Sequence, residues 1–172
     1  LGFTKADLKK ELCKSNATDR DYYLAQFVIL TLMAEFYDGQ GSTSKSREFL
    51  KLGELQNIIS ERLKAGLALE QEREQENTNI YSELYENVLD YKSMSDAYES
   101  LKSVETGSRS KYTKEGYVSI ICNFLDRQGL IIFIPEDEMI KTTAKLDNIM
   151  EYKILNKENY TRIMEALGKA HE

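Results

Sequence analysis

Histidine, cysteine and paired carboxylates carry most of the acid–base, metal and nucleophilic chemistry that proteins perform near neutral pH. Their placement in this chain argues against an active site. The single histidine, His171, stands next to the C-terminal residue, a position where little can hold it as a base or a ligand. Cys13 and Cys122 lie far apart and fit no metal-ligand spacing. Cys122 falls in an apolar run and reads as a small core residue. Neither cysteine implies a disulfide framework, so a reducing cytoplasm is the expected compartment. The stretch "GQGSTSKS" has the look of a phosphate loop but lacks its GK[ST] ending and a preceding strand. Carboxylates are plentiful among 29 acids, and none stands in an apolar frame that would raise its pKa for general acid work. The expectation is a chain that is not an enzyme and needs no metal or cofactor.

Other residues are placed to bind. In "YTKEGYVSIICNFLDRQG", Tyr117, Ile120, Ile121, Phe124 and Leu125 recur at helical spacing. The opposite face carries Lys114, Glu115, Ser119, Asn123, Asp126 and Arg127. Asn and Arg side chains can read base edges, so Ser119, Asn123 and Arg127 are candidate base contacts, with Arg109, Lys111 and Lys114 on phosphates. Two positives against two negatives also describe an ordinary solvated face. A second basic stretch supplies Lys45, Arg47 and Lys51. The run from Tyr22 to Tyr37 is apolar around most of its helical circumference. Such a helix is buried on several sides, at a domain centre or in a subunit interface. Tyr23, Phe27, Leu30, Met33, Phe36 and Tyr37 are the candidate residues for a dimer or partner contact.

The elements that must position these residues are mostly helical. Length allows one domain, or two small ones sharing a core. The chain is 41% hydrophobic with eleven tyrosines, which suffices for a sizeable interior, and its net charge of −6 makes it a poor general polyanion binder. No stretch approaches the roughly 18–20 apolar residues that cross a bilayer, and the mixed-charge start does not read as a secretory signal. Residues 4–14 predict a helix capped by Thr4, with Asp7 in its first turn. The next helix has Asp19 or Asp21 to cap it and Gly39 to stop it. Residues 48–52, "EFLKL", suit a strand or a helix start, and Leu55, Ile58, Ile59 and Leu63 form a stripe. Residues 1–70 therefore form an N-terminal helical unit. Residues 71–78 are a polar linker or helix extension, and residues 79–172 a second unit. In that unit a helix from residue 79, another starting at Ser95 or Asp96, and the Thr113-capped helix precede "LIIFIPEDEMIKT". This is a hairpin with Pro135, Glu136, Asp137 and Glu138 at its turn. Leu130, Ile132 and Ile134 alternate with Ile131 and Phe133, and both sets are apolar, which predicts burial on both faces. Two further helices follow, the last capped by Asn156.

Three helices followed by a hairpin is the order of a winged helix. The predicted fold is mostly α, a winged-helix-like helical domain with one β-hairpin. A lone central strand of an α/β sheet is the competing structure. Three carboxylates at the wing tip would repel phosphates and cancel the counterion-release gain of DNA binding, so the tip favours a protein partner. "YTKEGYVSIICNFLDRQGLIIFIP", the acidic turn, "MIKTTAKLDNIM" and "NKENYTRIMEAL" together resemble the kite-type accessory subunits of bacterial condensin-like SMC complexes, including those of Wadjet-type plasmid-defence systems. The likeness covers about residues 79–168 and rests on pattern. It implies a non-enzymatic subunit that dimerises and clasps a kleisin, the bridging protein of a chromosome- or plasmid-handling ATPase. Kite proteins carry two winged helices, and residues 19–70 supply at best a worn first copy. The alternative is a winged-helix DNA-binding transcriptional regulator.

Overall fold

The computed structural model describes residues 2–37, 45–75, 90–102, 110 and 112–150. Six helices and three short strands are found among them. In chain order these are α1 (Lys5–Leu12), α2 (Asp19–Phe36), β1 (Leu50–Lys51), α3 (Leu52–Gln75), α4 (Tyr91–Glu99), α5 (Lys114–Arg127), β2 (Ile131–Ile134), β3 (Met139–Thr142) and α6 (Ala144–Ile149).

Local chemistry sets the helix starts. The Asp7 amide donates to Thr4 Oγ1 at 3.2 Å and the Thr4 amide to the Asp7 carboxylate at 3.0 Å, a reciprocal arrangement that satisfies two orphan donors of α1. In α2 the N-cap is Thr18, not an aspartate. Asp21 instead reaches back, accepting from the Thr18 amide at 2.8 Å and its hydroxyl at 2.7 Å. α5 begins at the predicted Thr113, whose hydroxyl accepts from the Gly116 amide at 3.1 Å. α4 departs from expectation. Asp90 caps it, accepting from the Ser93 amide at 2.8 Å, so Ser95 and Asp96 lie inside one helix and do not begin another. Residues 76–89 and the predicted last helix at Asn156 lie outside the described residues, as do Gly39 and residues 151–155.

The hairpin is not alone. β1 joins it in a three-stranded antiparallel sheet ordered β1-β3-β2, with Leu50 opposite Ile140 and Lys51 opposite Met139. The ambiguous "EFLKL" is both of its readings in turn: two residues of strand, then the first turn of α3. The Leu52 amide donates to the Glu138 carbonyl at 2.8 Å and holds that junction to the hairpin. The fold is mostly α with a small antiparallel sheet, and α3, α4 and α5 precede the β2–β3 hairpin in winged-helix-like order.

A tight joint fixes the hairpin to α5. Gly129 takes φ +66°, a left-handed conformation that costs glycine least. This lets the Leu130 amide return to the Leu125 carbonyl at 3.0 Å. One turn earlier, the Asp126 carboxylate accepts from the Phe133 amide at 3.0 Å, which occupies a donor of β2. Ile131, Phe133, Ile140 and Leu50 face the helices and are buried. Burial of both faces is not found, because the helices cover only one: Ile132 is 48% exposed.

One apolar cluster unites the chain. Phe27 and Phe36 of α2, Leu55 and Ile59 of α3, Met94 and Tyr98 of α4, Ile121 of α5 and Ile140 of β3 all belong to it. The boundary placed at 71–78 therefore does not separate two cores. Residues 71–75 continue α3, residues 76–78 lie outside the described residues, and the N-terminal half donates a strand to the sheet of the C-terminal half.

Gly116 sits in the first turn of α5, and a Cβ there would overlap the Ser110 backbone. In an open helix interior, Gly→Ala gains about 1 kcal/mol. Here Gly116→Ala is expected to lower unfolding free energy by about 1–3 kcal/mol, seen as a lower urea midpoint at constant slope. A raised midpoint would show that Ser110 yields freely.

Candidate functional site

The α2 residues singled out for a partner divide sharply. Phe27 and Phe36 are fully buried in the chain's own core and Tyr37 is nearly so. They are therefore unavailable to a second molecule. Leu30 and Met33 are half-buried against the same core, and only Tyr23 is exposed. The apolar circumference of α2 is satisfied within the chain: α1, α3, α4 and α5 all pack on it. Of the two settings the sequence left open, α2 takes the centre of the domain.

The polar face of α5 is largely engaged at home. Lys114 Nζ donates to both Glu99 carboxylate oxygens at 3.0 and 3.1 Å and lies 4.6 Å from the centre of the Tyr98 ring. Arg127 pairs with Glu11 of α1 at 3.0 Å. The Asn123 side-chain amide donates to the Ser119 carbonyl one turn back at 2.9 Å. Ser119 is half-buried, while Asn123 and Arg127 are exposed. Arg109 and Lys111 lie outside the described residues. α1 also leans on this helix, with the Phe3 ring edge-on to Phe124 at 5.5 Å between centroids. The exposed Arg127–Glu11 pair is worth little energetically, but it halves the positive charge that this face can offer a phosphate. At the hairpin turn, Pro135, Glu136, Asp137 and Glu138 are all exposed. The three carboxylates have no ion-pair partner among the described residues. Lys51 Nζ instead donates to the Asp137 main-chain carbonyl at 2.6 Å.

Sequence reasoning missed two polar networks. Glu35, at the end of α2, accepts from Arg62 of α3 and from Arg47 at 3.1 Å, while Arg47 also reaches Glu54 at 2.6 Å. The Glu35 and Arg62 side chains are each only 10% exposed. Burial pulls the Arg62 guanidinium below its usual range, and the Glu35 charge opposes that pull. The second network joins Tyr37, Asp147 and Lys45. The Tyr37 hydroxyl donates to Asp147, which pairs with Lys45 at 2.8 Å. Burial first, and then the Asp147 carboxylate, push the Tyr37 hydroxyl well above its ordinary value. For Asp147, burial works toward a higher value, but hydrogen bonds from Lys45 and Tyr37 outweigh it and hold the carboxyl low. A signal for the first network was present: Glu35 interrupts an apolar run, and a carboxylate there must find a cation. Burial also pushes the Cys122 thiol up to about 12, which leaves it protonated and unreactive. Among the described residues, no three His, Cys, Asp or Glu side chains are grouped to hold a metal ion. No described helix is long and apolar enough to cross a membrane.

A family model described as "Family of unknown function (DUF6063)" matches residues 1–172. The chain belongs to that family. No curated protein and no solved structure matches it. Among the described residues of this DUF6063 chain, the acidic hairpin turn is exposed and the outer face of the sheet carries the exposed Ile132. Its buried charges serve to tie elements together.

Two outcomes test that division. Glu35→Ala strands the Arg62 charge in the interior and is expected to cost about 3–5 kcal/mol. The double replacement Glu35→Leu/Arg62→Met should recover most of it, and a double loss equal to the sum of the Glu35→Leu and Arg62→Met losses in chemical denaturation would show no coupling. Asp147 has a folded pKa below its ordinary 3.8. Its contribution is therefore complete above that value and lost as pH falls through the folded one. Asp147→Asn should be less stable than the parent at pH 6, with the gap narrowing below about pH 4. A gap that stays constant with pH would place its origin elsewhere.

Proposed function

We propose that this chain is a non-enzymatic, cytoplasmic protein-interaction subunit, an accessory subunit that binds the kleisin of an SMC-like chromosome- or plasmid-handling complex. The observation that carries this reading is the hairpin turn at 135–138. It presents Glu136, Asp137 and Glu138 exposed, on a hairpin pinned to α5 through Asp126, Gly129 and Leu130. A rigid acidic projection suits a basic or polar protein surface, whereas duplex DNA repels it. The neutralised face of α5 supports the same choice. With Lys114 tied to Glu99 and Arg127 to Glu11, the helix that a winged-helix regulator would set in the major groove keeps little free positive charge.

The strand order gives further support. A first strand pairing with the second hairpin strand, β1 on β3, joins the N-terminal helices to the wing. The worn first copy expected at residues 19–70 is in this light part of a single winged-helix-like unit.

Affinity purification of the tagged chain from its native host tests the proposal. A kleisin-type bridging protein and an SMC-like ATPase should co-purify in stoichiometric amounts, and reversal of the turn (Glu136→Lys, Asp137→Lys, Glu138→Lys) should reduce their recovery at least about tenfold. Tight binding of duplex DNA by the purified chain, with log affinity falling by about 0.9 per phosphate contact against log salt, would favour the regulator instead.

A further inference from the structure

We draw no further inference here: the strongest candidate, the outer face of the three-stranded sheet around the exposed Ile132, is an apolar patch for which nothing in the structure shows what covers it.

Discussion

The two-residue pairing of Leu50 and Lys51 with Ile140 and Met139 is the constraint on which the rest depends. A two-stranded hairpin alone is marginal in water. The added strand gives β3 neighbours on both sides and turns the hairpin into a sheet with one buried face. Because Leu50 is fully buried and leads directly into α3, the pairing also fixes where α3 begins. α3 then presents Leu55, Ile59 and Leu63 to the common core. Without β1, the hairpin would keep its joint with α5 and the packing of Ile131, Phe133 and Ile140 on the helices, but β3 would lose one of its two neighbours.

Several charges among the described residues tie elements of the chain to one another. Glu35 gathers two arginines, Asp147 gathers a tyrosine and a lysine, and Asp126 closes a main-chain donor of the outer strand. That last contact matters for solubility, since an open strand edge invites pairing with other chains. Glu136, Asp137 and Glu138 of the hairpin turn, like Glu48, Glu61 and Glu115 elsewhere, have no ion-pair partner among the described residues.

Much of the fold was legible from local chemistry. Thr4 and Thr113 are caps because a hydroxyl can accept from the third helical amide, and Gly129 ends α5 because it adopts a left-handed backbone readily. The amphipathic spacing from Tyr117 to Leu125 identified α5 and its buried side. What could not be read were long-range partnerships. Nothing in "EFLKL" shows that its strand partner lies some ninety residues later. The hydrophobicity of Ile132 does not show that its face lacks a cover. In α4, Asp90 and Ser95 are both plausible caps by type, and packing of Tyr91 into the core selects the earlier one. The basic residues of α5 fit DNA contact by type alone, because Glu99 and Glu11, their actual neighbours, are distant in sequence.

The same pairing orders events during synthesis. A ribosome delivers β1 long before β3, so the α2–α3 portion emerges with Leu50 and the inner side of α3 still lacking their mates. Closing that loop requires most of the described chain to have left the exit tunnel, and bringing such distant segments together slows folding. The nascent N-terminal half thus lacks part of its core partners for the seconds that translation takes. Its final locking awaits the last strand.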